Sequence, residues 1–282
     1  MSENGLSDSV HRTVLKWKGH TIACIMEIRA ILEDCRSGVI GGITAGLEIW
    51  ELGIIPALLN NSDTWVDMSS KTLKELDNIQ YMFYRTLLST PRTCPLPILL
   101  WDTGALLMEH RIALKKLMFY HHLKHLEEES LASKIAVIQE QFEFPGLINE
   151  CKFLLAKYEI TENVNLLSKL AWKNAVKRSV FKVNEVDLLI RMKNYKKLDV
   201  DSLESENFGL KEYFKTLNLP DARLKFAIRS KMTRTIQMNY KEDKKFKANH
   251  WKCVECGKKD TQEHSLQCEG YRNLREGKKI EE

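Results

Sequence analysis

Ser70-Lys71-Thr72-Leu73-Lys74-Glu75-Leu76-Asp77-Asn78-Ile79-Gln80-Tyr81-Met82-Phe83-Tyr84-Arg85-Thr86-Leu87-Leu88-Ser89 places Leu73, Leu76, Ile79, Phe83 and Leu87 three or four residues apart. That spacing keeps side chains on one side of an α-helix and predicts an amphipathic helix over 71–89. Ser70 is placed to cap it, because a serine hydroxyl can accept from a first-turn N–H that has no partner inside the helix. The same period recurs on both sides. Ile22, Ile25, Met26, Ile28 and Leu32 predict a helix over 21–34 that stops around Ser37-Gly38. An apolar run over 39–59 contains Gly41, Gly42 and Gly46, which suit close helix packing, and Pro56, which either kinks the run or starts a new turn. Asn60-Asn61-Ser62-Asp63 reads as a loop.

Pro91, Pro95 and Pro97 break regularity. A long helix is expected over 103–129, carrying Leu107, Leu114, Leu117, Met118 and Leu126, then two more over 131–142 and 147–158, separated by Pro145-Gly146. The span 163–195 reads as helical and basic. Leu219-Pro220-Asp221 opens the last clear helix, with Leu224, Ile228, Met232 and Ile236 as its stripe. Alternation of period two is nearly absent, so the fold class is all-α: a multi-helix domain followed by a small C-terminal metal module. The expected organisation is an N-terminal flank (1–20), a helical domain (21–158), a basic helical linker region (159–240) and a basic tail (241–282).

At 282 residues, with 44% hydrophobic and 29% charged residues, the chain is long and apolar enough to bury a core, which excludes a disordered protein. The polar N-terminus lacks the pattern of a signal peptide. The run over 39–59 is interrupted by Glu48, Glu51 and Pro56, which disfavours a membrane span. Cys24, Cys35, Cys94 and Cys151 lie far apart in apolar surroundings and read as buried free thiols of a reducing compartment. An intracellular protein, nuclear or cytoplasmic, is the expectation.

Near the C-terminus Cys253, Cys256, His264 and Cys268 form the pattern C-x2-C-x7-H-x3-C. Two cysteines two residues apart can wrap a turn that aims both thiolates at one ion, and Gly257 suits the backbone such a turn needs. The spacing of four between His264 and Cys268 fits one face of a short helix. Four N/S ligands with no open position describe one structural Zn2+, not a catalytic one.

Nine basic residues lie between Lys225 and Lys252, opposed only by Glu242 and Asp243. Lys241, Lys244, Lys245, Lys247 and Lys252 are therefore candidate phosphate contacts, and the same run reads equally as a solvated linker. Phe246 and Trp251, interleaved with them, can stack on unpaired bases, although Trp251 can equally pack on the zinc loop. Lys169, Lys173 and Lys177, with Arg178 and Lys182, form a second basic face, either solvated or a phosphate track. His121-His122-Leu123-Lys124-His125 lacks the glutamate of a catalytic zinc helix and reads as the polar end of an amphipathic helix. Trp50, Trp65 and Trp101 read as core. No phosphate-binding glycine loop, nucleophile elbow, dinucleotide fingerprint or paired aspartates occur, which points away from an enzyme.

The run from Gly41-Gly42-Ile43-Thr44-Ala45-Gly46-Leu47-Glu48-Ile49-Trp50-Glu51 through Ile55-Pro56-Ala57-Leu58-Leu59-Asn60-Asn61 to Thr64-Trp65 resembles the segment after the palm in non-LTR (LINE-type) retrotransposon reverse transcriptases. Met232-Thr233-Arg234, Met238-Asn239-Tyr240, Lys252 to Gly257, Gln262-Glu263-His264 and Tyr271-Arg272-Asn273-Leu274-Arg275-Glu276-Gly277 are similar to that family's CCHC knuckle region. The resemblance implies a helical thumb and linker ahead of a zinc knuckle, with RNA or DNA (template–primer or target DNA) as partner. The family's fingers, palm and metal-binding aspartates have no counterpart here, so the resemblance implies a C-terminal portion without polymerase activity. The other readings are a zinc-dependent protein-interaction module and a retroelement relic without function.

Overall fold

The computed structural model describes residues 4–34, 40–142, 146–195, 198, 200, 207–230 and 232, together with 252, 253, 256–258, 264 and 267–269 of the tail. Among them the chain is all-α, as the periodicity predicts, with no β-strand; Ile40 and Asn218 form an isolated bridge. It divides into two compact units, Met1–Leu219 and Pro220–Glu282. No helix of the described residues is long and apolar enough to cross a membrane.

The first unit opens with α1 (Asn4–Asp34), which starts well before the predicted residue 21 and packs on α4 (Ser70–Leu88). Its buried stripe is Val14, Thr21, Ile25, Ile28 and Leu32; Met26, predicted on it, lies one position off and is exposed. Ser69, not Ser70, caps α4: its hydroxyl accepts from the Thr72 N–H at 3.2 Å. The predicted stripe on α4 is otherwise buried through Leu76, Ile79, Phe83 and Leu87.

The glycine-rich run becomes α2 (Gly42–Ile49), a π-helical turn (Trp50–Ile54) and α3 (Ile55–Leu58) in continuous succession. Pro56 has no N–H to donate to the residue four positions back, and the turn just before it widens, with the Ile55 N–H bonded to the Trp50 carbonyl. Gly46 lets α2 approach α4 closely: a Cβ there would lie 2.5 Å from Cδ1 of the buried Leu87, which would have to shift. Trp50 stacks on Phe83 at 4.2 Å between ring centroids, with Tyr84 edge-on to both. A short 3-10 turn (Ser62–Thr64) follows.

Where one long helix was expected over 103–129, the chain forms α5 (Leu96–Thr103), which has Pro97 in its first turn, and α6 (Met108–Lys124). Gly104, in the left-handed conformation, ends α5 and separates the two. The next elements, α7 (Leu131–Gln141) and α8 (Leu147–Lys157), match the expectation closely. Ser168 caps α9 (Lys169–Lys193). Helix α6 is central, touching α4, α7, α8 and α9. Leu117 and Tyr120 of α6, Ile148 and Leu154 of α8, and Trp172, Val176 and Val180 of α9 share one apolar core. A short α10 (Tyr213–Thr216) packs on α2.

Helix α11 (Leu219–Arg229) starts where Leu219-Pro220-Asp221 predicts, but with a different buried stripe. Ala222, Phe226 and Ser230 are buried, whereas Leu224 and Ile228 are exposed and only Met232 of the expected set is covered. Two four-residue series run along this helix on opposite sides, and the one holding the large Phe226 ring faces inward. Ile236 lies outside the described residues, as do 35–39, where α1 was expected to stop.

Trp50, Trp65 and Trp101 are core, as expected. Cys94 and Cys151 are buried free thiols, and burial pushes both up to about 12, so neither is poised to react. Cys24 is exposed, against expectation, because it lies on the solvent side of α1, next to the stripe's Ile25. Cys35 lies outside the described residues.

Helix α9 also supplies the start of α6. The Oδ1 of the fully buried Asn184 accepts the backbone N–H of Leu107 at 2.9 Å. Asn184→Ala should strand that N–H and cost about 2 kcal/mol. In urea titrations the midpoint should fall with an unchanged m-value; a midpoint equal to that of the wild type would show that the bond carries no stability.

Candidate metal centre

The chain has little apolar material after Met232 to build a core, and the four predicted ligands come together there. Cys253 Sγ and Cys268 Sγ are 3.8 Å apart, Cys268 Sγ and Cys256 Sγ 3.7 Å, and Cys256 Sγ and His264 Nε2 3.2 Å. All four ligand atoms lie within 4.8 Å of one another. A disulfide would need about 2.05 Å between sulfurs. Zn–S bonds of about 2.3 Å in a tetrahedron give S···S edges of about 3.8 Å. The thiols thus stand at the spacing of ligands around one ion, and the donor set of three sulfurs and one imidazole suits zinc.

Local backbone structure explains how the sequence reaches this arrangement. The Gly257 N–H donates to the Cys253 carbonyl at 2.9 Å, and the Cys253 N–H donates to the Lys258 carbonyl at 2.6 Å. This closes a tight knuckle around the Cys-x-x-Cys pair. Gly257 has φ +69°, a left-handed conformation that favours glycine. On the other side the Cys268 N–H donates to the His264 carbonyl at 2.7 Å, so the spacing of four does form one helical turn. Cys253 and Cys268 are buried, while Cys256 is exposed and His264 half-buried.

Of the candidate nucleic-acid contacts, Lys252 is exposed, immediately before the first ligand. Lys241, Lys244, Lys245, Phe246, Lys247 and Trp251 lie outside the described residues. On α9 Lys169, Lys173, Lys177, Arg178 and Lys182 are all exposed, the three lysines at intervals of four along one side and Arg178 and Lys182 further round the helix. Lys177 Nζ sits 5.9 Å from the Phe181 ring centroid.

The histidine cluster departs from the sequence reading. His121 is not on a polar face but buried, its Nε2 donating to the Leu167 carbonyl at 2.9 Å and its ring stacked on His125 and near Trp172. It closes the α6–α9 contact. A different cluster, which no spacing in the sequence announces, brings Glu109 and His110 of α6 to Asp187 of α9. Comparison of the chain with protein-family models, with curated proteins and with solved structures finds no match in any of the three.

If the Cys3His cluster holds zinc, purified protein should carry one equivalent, and the Cys253→Ser/Cys256→Ser pair should lose it; equal metal content in the two would refute the site. A chelator should disorder the tail while leaving the circular dichroism of the first unit largely intact. Gly257→Ala should weaken metal retention in a competition with a chromophoric chelator, because the added Cβ strains the left-handed turn at a cost of about 1 kcal/mol.

Proposed function

We propose that this chain is a nucleic-acid-binding segment of the kind that forms the thumb, linker and CCHC knuckle of a non-LTR retrotransposon reverse transcriptase, without a catalytic centre of its own. The observation that carries the reading is the Cys3His cluster at metal-ligand spacing, set directly after a run of lysines. In this reading Zn2+ on Cys253, Cys256, His264 and Cys268 fixes the tail's fold. Lys241, Lys244, Lys245, Lys247 and Lys252 neutralise phosphates, and Phe246 and Trp251 stack on bases. The basic face of α9 supports the same reading. None of its five cations is ion-paired among the described residues, and all five are exposed.

Binding to single-stranded RNA or duplex DNA should then weaken steeply with salt. Five engaged lysines correspond to a slope of about −4 in log K against log salt. Reversing Lys244, Lys245 and Lys247 to glutamate should reduce that slope by about 2 to 3. Binding that ignores salt, or none to any nucleic acid offered, would sink the proposal.

One observation favours a second reading, a protein-interaction module. Leu131, Ile135 and Ile138 of α7, continued by Phe142, lie at intervals of four, three and four and are all exposed, forming an apolar stripe along one face. In that case Ile135→Glu/Ile138→Glu should abolish capture of a stoichiometric protein partner, while charge reversal at Lys244, Lys245 and Lys247 leaves it unchanged.

A further inference from the structure

Within the first unit, the first turn of α6 and the last turns of α9 place three potential ligands together. The ligand atoms of Glu109, His110 and Asp187 lie within 4.8 Å of one another. We propose that these three residues form a second metal site, independent of the Cys3His cluster, for a divalent first-row transition ion bound through one imidazole nitrogen and two carboxylates.

The imidazole carries the argument. His110 is fully buried, and its Nε2 makes no hydrogen bond. Asp187 Oδ2 lies 3.0 Å from Nε2, within ion-pair distance. That separation is also the one two neighbouring ligands of one ion adopt: at metal–ligand distances of about 2.1 Å and a right angle, two ligand atoms stand about 3.0 Å apart. The other ring nitrogen, Nδ1, is 2.8 Å from the hydroxyl of the buried Tyr158. With Nδ1–H donating to that hydroxyl, the Nε2 lone pair faces the cluster, the second-shell device by which proteins orient a ligating histidine.

The charges also suit a cation. Glu109 is held by Lys157 at 3.3 Å on Oε2 and by Arg191 at 2.7 Å on Oε1, which fixes the carboxylate and leaves each oxygen a further lone pair. Asp77 of α4 faces the same Glu109 and Arg191, so three carboxylates and two cations surround the ring. The side chains of Glu109 and Asp187 are 24% and 32% exposed, so water can complete the shell from outside while His110 forms its floor. Nitrogen and oxygen donors without sulfur select an ion of the Mn2+ to Zn2+ series over the softer ions favoured by thiolates.

Mn2+ is the appropriate probe, because it has little affinity for a thiolate-rich knuckle already loaded with zinc. The full chain, zinc-loaded, is titrated with Mn2+ while the electron paramagnetic resonance signal of the free ion is recorded. One equivalent should be taken up per chain, and Asp187→Asn, which keeps the side chain's shape, should weaken uptake by about tenfold or more. In the wild type, paramagnetic broadening should centre on the His110 ring and on the amides around Glu109 and Asp187. This second measurement localises the ion even if Asp187→Asn fails to fold. No uptake at millimolar Mn2+, undiminished uptake by a folded Asp187→Asn, or broadening centred elsewhere overturns the assignment.

Discussion

A charge that leaves water must meet a partner, and on α6 that requirement fixes much of the first unit. This helix buries Arg111 and Lys116 along with His110 and His121. An unpaired buried cation costs several kcal/mol, so each needs a specific partner from a neighbouring element. Arg111 takes both oxygens of Glu51 at 2.7 and 2.6 Å, which ties α6 to the π-helical turn. Lys116 pairs with Glu150 of α8. His121 reaches the Leu167 carbonyl ahead of α9, and Trp172 Nε1 donates to the Leu117 carbonyl at 2.9 Å. Close packing of the apolar side chains already penalises a shift in register. The bidentate Arg111–Glu51 pair adds to that, because its fork fits in one register only.

The same constraint explains how much of the fold was legible in the sequence. Helices α4, α7 and α8 begin and end within a residue or so of expectation; in α4 the apolar stripe written in the period is also the buried one, whereas that of α7 is exposed. Helix α6 was misplaced at both ends. It is buried nearly all round, so His110, Arg111, Lys116 and His121 interrupt its period while being as covered as its leucines. Pairing between distant residues, such as Glu51 with Arg111, leaves no mark in local spacing. Helix α11 shows a related failure: with apolar residues on both sides, volume at Phe226 decides which side turns inward, and a stripe of Leu224 and Ile228 competes with it on paper.

The two clusters of potential ligands differ in the same way. Cys253, Cys256, His264 and Cys268 sit within sixteen residues of chain. Turn geometry alone brings them close, and the pattern is therefore readable without a fold. Glu109, His110 and Asp187 are joined only by the packing of α6 on α9. Glu109-His110 looks like any polar start of a helix until Asp187 is laid against it. Tyr158, which orients the ring, comes from a third place in the chain.

Internal neutralisation of α6 also shapes what the surface is left with. Glu51, Glu109 and Glu150 point inward or sideways to hold buried or half-buried cations, and Asp187 and Arg191 on the inner side of α9 join that network. Helix α9 turns Trp172, Val176 and Val180 into the core it shares with α6 and sets Asp187 against His110. Its outer side keeps Lys169, Lys173, Lys177, Arg178 and Lys182, with no carboxylate paired to any of them among the described residues. A chain of only +5 net charge can in this way present a strongly positive face, because its acids are committed where the fold needs them. The pairing that fixes the helices and the field that attracts a polyanion are consequences of one distribution of charge.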